Sequence, residues 1–252
     1  MSHGAAPDAT VRYAGHDDAV IDVHLPGGSL PVGPVDRVVV LIHGGFWKVE
    51  YDRRHTRQMA RALADEGYVV ATPEYRRVRG GGGWPVTGDD VLLAVQRLPE
   101  LLASIGVTPG PLVVVGHSAG GHLALWLATT GARIERVVAL APVCDLREAI
   151  RLGLGSNATQ AFLGGADPDQ ADAMVLLRDR PGAEIAVLHG EDDADVPVSL
   201  SRGLVDAHPW VRLHEVPGGH FEVIEPGSAA WPFVLAAVGG RTQRPSGAAG
   251  PP

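Results

Sequence analysis

Ser118 sits at the centre of Gly116-His117-Ser118-Ala119-Gly120, between the apolar run Leu112 to Val115 and a helix-forming run, Leu123 to Ala128. A serine hydroxyl so placed can attack an acyl carbon, provided that a base takes its proton and a third group holds the base. A chain that turns straight from strand into helix leaves almost no room at the bend. Its flanks must lack bulk, and Gly116, Ala119, Gly120 and Gly121 meet that need. The hydroxyl is thereby pushed out at the tip, near a helix N-terminus whose free N–H groups favour negative charge developing on the substrate. With 33 glycines in 252 residues, the pentapeptide is a weak signal by itself; the strand before it and the helix after it make it specific.

Two other loops carry groups that could complete this chemistry. After the apolar run ending at Leu188 comes His189-Gly190-Glu191-Asp192-Asp193-Ala194-Asp195-Val196-Pro197, and after the run ending at Val216 comes Pro217-Gly218-Gly219-His220-Phe221. His220 is the expected general base. Asp192, Asp193 and Asp195 all crowd the first loop, and residue type leaves the choice among them open; Asp195 would also suit capping of a helix near Pro197. The oxyanion needs two N–H donors. One is expected from Ala119, and the other, Gly45 or Phe46, from the Gly44-Gly45-Phe46 turn that follows Val38 to Ile42. His117 and His122 lie too near the nucleophile along the chain to swing onto its hydroxyl, and His214 reads as mid-strand.

The elements that must position these loops follow from periodicity. Thr10 to Ala14 and Ala19 to Leu25 read as an antiparallel hairpin, and Pro26 to Pro34 as a loop. Val38 to Ile42, Tyr68 to Thr72, Leu112 to Val115, Val137 to Leu140 and Ile185 to Leu188 read as buried parallel strands, and Val211 to Val216 as an alternating one. Helical patterns separate them: His55 to Glu66, Asp89 to Ile105 with an expected kink or split at Pro99, Pro197 to Ala207, and Trp231 to Val238 with Pro232 in its first turn. Short helical patterns at Leu146–Leu152 and Gln170–Leu177 predict a small cap within 145–180. Strands alternating with helices after an opening hairpin imply an α/β fold, a doubly wound, mostly parallel sheet whose functional loops gather at the strands' carboxyl ends.

Composition limits the remaining classes. A chain of 252 residues with 45% hydrophobic content can bury one core, so a single domain over 10–238 is expected, with flexible tails at 1–9 and 239–252. The net charge of −8, with no basic stretch, argues against nucleic acid. Cys144 is the one cysteine and excludes an internal disulfide. No apolar run reaches the ~18 residues of a membrane span, and Met1 to Pro7 has neither a basic nor an apolar leader region, so a cytoplasmic protein with no membrane partner is expected. Trp126, Met59 and Cys144 read as core.

His43 to Trp47, Gly116 to His122, His189 to Pro197 and Gly218 to Phe221 together resemble the α/β-hydrolase superfamily, and in particular its small esterase and kynurenine-formamidase-like branch. The resemblance covers Thr10 to Val238. It implies the α/β-hydrolase fold and the order Ser118, Asp193, His220, with Asp193 preferred to Asp192 and Asp195 because it fits His-Gly-x-x-Asp-x-x-Val-Pro. Phe46-Trp47, where many esterases have a third glycine, is similar to the turn of arylformamidases, which cleave N-formylkynurenine to formate and kynurenine. The implied activity is hydrolysis of a small-molecule ester or amide through an acyl-enzyme, with an aryl formamide favoured and short-chain carboxylic esters as the alternative. A non-catalytic hydrolase-fold binding protein is the reading from another class. Gly44, Trp47 and Trp84 are expected at the substrate pocket, the tryptophans stacking on an aromatic leaving group or packing beneath the cap. No cofactor and no metal is expected, and a homodimer is left open.

Overall fold

The computed structural model describes residues 6–29 and 33–240. Its main strands are β1 (Ala9–Arg12), β2 (Val20–His24), β3 (Val38–Ile42), β4 (Val69–Pro73), β5 (Leu112–His117), β6 (Arg136–Leu140), β7 (Glu184–Gly190) and β8 (Arg212–Val216); apart from them Gly33–Pro34, expected within a loop, pairs with Val107–Thr108. Among the described residues the main strands form one eight-stranded sheet in the order β1-β2-β4-β3-β5-β6-β7-β8. β1 and β4 both run antiparallel to β2, and every other pairing is parallel. The opening hairpin and the mostly parallel sheet are as expected.

Both faces of the sheet are covered, which is why β3 to β6 are buried at every position and mostly apolar. Val38, Val40 and Ile42 of β3 face one core, shared with α2 (Val86–Ser104), α3 (Ala119–Leu127) and α7 (Ser199–Ala207). Val39 and Leu41, pointing the other way, join α1 (Arg57–Asp65) and α8 (Trp231–Gly239) in a second core. Met59 and Trp126 are buried in these cores and Cys144 is fully buried.

Several expectations change. α2 runs through Pro99 without a split. Pro99 itself lies on the exposed side of the helix, where its ring meets no packed neighbour helix among the described residues. Between β6 and β7 the chain forms α4 (Leu146–Arg151), α5 (Leu154–Leu163) and α6 (Ala173–Leu176). α5 was not expected, because Gly153 and the left-handed run Gly155, Ser156 and Asn157 precede its regular part. Asp195 caps no helix: α7 starts at Ser199 behind Val198, without a side-chain cap. The hairpin begins already at Ala9, with the Leu25 N–H donating to Asp8 at 2.6 Å, and α8 includes Gly239. The rest of the expected tails, 1–5 and 241–252, and loop residues 30–32 lie outside the described residues.

Candidate active site

The strand pairings bring the motif loops together in two adjacent pairs. Ile42 at the end of β3 pairs with Gly116 near the end of β5, so the His43 turn lies against the Ser118 bend. Val216 at the end of β8 pairs with Gly190 at the end of β7, which sets the acid loop beside the His220 loop.

At the bend, Ser118 has φ 56° and ψ −117°, a sparsely populated conformation for a side-chain-bearing residue that costs on the order of 1–3 kcal/mol. Neighbouring backbone holds it there. The Ser118 N–H donates to the Leu140 carbonyl at 2.8 Å, and the Ser118 carbonyl accepts from His122 N–H at 3.1 Å and Val143 N–H at 3.3 Å. The glycines are needed for close approach: a Cβ on Gly116 would strike the Gly120 carbonyl, and one on Gly120 would strike the carbonyls of Ile42 and His43. Ser118 itself is only 2% exposed.

The acid loop and the base loop are joined by backbone as well as side chains. Asp192 N–H donates to the Gly218 carbonyl at 3.0 Å, and a Cβ on Gly190 would overlap the carbonyls of Gly218 and Gly219. Across this contact His220 Nδ1 donates to Asp193 Oδ2 at 2.7 Å. His189 Nε2 lies 3.2 Å from the same oxygen, while Oδ1 accepts from the N–H groups of Asp195 at 2.9 Å and Val196 at 2.8 Å. Burial by itself pushes the Asp193 carboxyl up. The hydrogen bonds from His189, His220 and Val196 outweigh that and hold it well below the usual carboxylate range. Asp192 and Asp195 are exposed, and neither hydrogen-bonds His220.

His189 is a participant that residue pattern did not single out. It is fully buried, with Nδ1 2.7 Å from Ser201 Oγ and Nε2 2.9 Å from the Val196 carbonyl. Ser201 lies on α7, so His189 ties the acid loop to that helix.

The turn after β3 is also braced from behind. Gly45, Phe46 and Trp47 all have positive φ, at 104°, 51° and 54°. A Cβ on Gly44 would come within 3.0 Å of Ser118 Cβ, and one on Gly45 would enter the Tyr51 ring. The N–H groups of Gly45 and Phe46 engage no acceptor among the described residues. His43 fixes the turn: Nδ1 is 2.8 Å from the Gly44 carbonyl, Nε2 is 2.8 Å from Glu74 Oε1, and the ring stacks on Tyr75 at 4.3 Å. Burial raises the Glu74 carboxyl, but His43, Arg77 and the Arg53 N–H together bring it down to about 2. Spacing along the chain gave no sign of this Glu74 network.

The expected pocket residues fare differently. Gly44 is at the bend. Trp47 is fully buried, stacked on Phe162 of α5 at 4.3 Å and edge-on to His122 at 5.2 Å, so it packs beneath the cap segment and does not face solvent. Trp84 lies edge-on to Trp126 at 5.3 Å. The Phe46 side chain is nearer to open space: a Cβ on Gly155 would enter its ring, and it borders a cavity of about 210 Å³ with Lys48, Val78, Arg79 and Ser156. Another cavity, of about 280 Å³ and walled by Arg136, Trp210 and Phe233, opens at the amino ends of β6 to β8, the wrong end for these loops. Ser118 and His220 lie on neighbouring loops but form no hydrogen bond between their side chains here. What the loops gather is an alcohol at a strained bend, an imidazole oriented by an ionised carboxylate, and unengaged amides beside the alcohol. That is the equipment for acyl transfer.

The fold and these loops define the α/β-hydrolase class. The chain belongs to the BD-FAE family, an α/β-hydrolase-type esterase family whose profile matches residues 21–207. It is 36% identical to neutral cholesterol ester hydrolase 1 of Pongo abelii over 121 residues, 46% of this chain and 29% of that protein. With S-formylglutathione hydrolase of Rattus norvegicus it is 34% identical over 107 residues, 39% of this chain and 36% of that one. The matches thus span well under half the length of these curated relatives. Among solved structures, a truncated carbohydrate esterase from gut microbiota superposes with a TM-score of 0.76 at 17% identity, covering 93% of this chain and 100% of that one. Esterase 2 of Thermogutta terrifontis superposes with a TM-score of 0.74 at 21% identity, covering 93% of each chain. Both show the fold. Among the described residues no helix is long and apolar enough to cross a membrane.

Proposed function

We propose that this chain is a serine hydrolase that cleaves a small ester or amide through an acyl-enzyme. The observation that carries the reading is the 2.7 Å hydrogen bond from His220 Nδ1 to an ionised Asp193 on the loop next to the strained Ser118 bend. Held this way, the ring carries its other proton site, Nε2, free to act as base. Ser118 Oγ attacks the carbonyl carbon as Nε2 takes its proton. The oxyanion accepts from the N–H groups of Ala119 and of Gly45 or Phe46. Nε2 then delivers the proton to the leaving oxygen or nitrogen, and water repeats the sequence to free the acid. Asp193 holds the ring and stabilises the imidazolium without itself taking the proton.

Membership in an esterase family and the ester-hydrolase names of the curated relatives support this reaction class. Within it, an aryl formamide such as N-formylkynurenine is the favoured substrate and short-chain carboxylic esters are the alternative. The likeness of the His43 to Trp47 turn to that of arylformamidases favours the formamide.

Side-by-side kcat/KM values for N-formylkynurenine and for p-nitrophenyl acetate, butyrate and octanoate test the assignment. The formamide should exceed every ester. An ester preferred by tenfold or more would make the protein a carboxylesterase, and no turnover of any of them would favour a binding role.

A further inference from the structure

His117, the residue between Gly116 and the nucleophile, reaches with its ring to the base loop. Its Nε2 lies 2.9 Å from the main-chain oxygen of His220, and the two rings are 4.6 Å apart. A carbonyl can only accept, so Nε2 carries the proton and Nδ1 the lone pair. Nδ1 is buried without a partner among the described residues and faces Gly44, where a Cβ would come within 3.1 Å of it. Among the described residues, the Nε2 contact is the one hydrogen bond joining the nucleophile bend to the loop that carries His220.

We propose that His117 is a positioning residue, which sets the His220 ring relative to the Ser118 hydroxyl by tethering the His220 backbone. The proposal rests on the serine-hydrolase reading above. His220 is oriented about its side chain by Asp193, and the Asp192 N–H bond to the Gly218 carbonyl holds its loop to the acid loop, but neither contact reaches the Ser118 bend, against which the loop is left free to shift. The His117 bond removes that freedom, and the same ring, which fills the space a side chain at position 44 would need, lies between the oxyanion turn and the base. Burial and the neighbouring His220 keep His117 neutral, so it adds no second positive charge when His220 becomes an imidazolium.

Two variants separate the tether from mere packing. In His117→Gln the amide N–H can reach the same carbonyl; in His117→Met the volume is kept and the donor is lost. With an aryl ester as substrate, His117→Met should lose kcat by roughly ten- to a hundredfold with KM within a few-fold, the scale expected when a reacting group is misplaced by about 1 Å. His117→Gln should recover most of it. The low-field proton NMR signal of the His220–Asp193 hydrogen bond, recorded also in Ser118→Ala, should weaken in His117→Met and persist in His117→Gln. A His117→Met protein with wild-type kcat and an unchanged signal would overturn the proposal, as would a folded His117→Gln no better than His117→Met. Should His117→Met not fold, His117→Gln decides: kcat reduced more than tenfold at an unchanged melting temperature contradicts the tether. If Ser118→Ala still turns over, the serine-hydrolase reading fails, and the NMR signal still judges the tether.

Discussion

Asp193 and His220, 27 residues apart, meet at 2.7 Å because β7 and β8 are parallel neighbours whose last residues, Gly190 and Val216, are in register. Of the three aspartates in the loop, Asp193 alone makes this bond, and three further N–H donors surround it. The carboxylate therefore fixes both the tautomer and the direction of the ring.

Asp193→Asn should lower kcat by on the order of 10⁴, because the Asp195 and Val196 N–H groups keep the amide oxygen at the Oδ1 position and turn its NH2 toward His220, which then takes the wrong tautomer. Asp192→Asn and Asp195→Asn should stay within a few-fold of wild type. Steady-state kinetics on an aryl ester checks all three; a larger loss at Asp192 or Asp195 would move the acid.

Stability should fall with acid in two windows. Burial lowers His122 from 6.5 to about 4, as does burial with the nearby His43 for His55. The unfolded chain thus takes up protons that the native state refuses, and stability drops as pH falls from 6.5 to about 4. Glu74, lowered from 4.5 to about 2, contributes stability that is fully present above 4.5 and is lost as pH falls to about 2. Calorimetric melting temperatures across pH should show His122→Gln flattening the upper window. Glu74→Gln should be less stable at neutral pH and flatter in the lower one.

Trp47→Ala should act on stability. Its ring is fully buried between Phe162 and His122, so truncation leaves a cavity worth about 3–5 kcal/mol. A lowered denaturation midpoint with KM for aryl substrates little changed in the remaining folded protein is expected. An unchanged midpoint with a raised KM would return Trp47 to the substrate pocket.

The parts of this molecule that could be read from residue order are those where local pattern and tertiary role agree. Val38 to Ile42 and Leu112 to Val115 are apolar at every position because helices cover both sides, and glycine at 116 and 120 is demanded by backbone contact. The Ser118 and Asp193 loops were legible because each directly follows a mostly apolar, buried strand, and the His220 loop because it closes the alternating strand β8. What stayed hidden depends on partners far apart in the chain. His43 with Glu74, His189 with Ser201 and His117 with the His220 carbonyl are pairings that topology alone creates. α5 was masked by Gly153, Gly155, Ser156 and Asn157, residues that favour turns and here adopt left-handed backbone before the helix proper. Trp47 could be seen as an aromatic beside the bend, but whether it faced substrate or core was decided by Phe162, more than a hundred residues away.

The most direct measurement is intact-mass labelling by a fluorophosphonate, which bonds to an activated serine. Wild-type protein should gain one adduct, located by peptide mapping at Ser118, and Ser118→Ala should gain none. Equal labelling of both proteins, or an adduct on another residue, would contradict the assignment of Ser118 as the nucleophile.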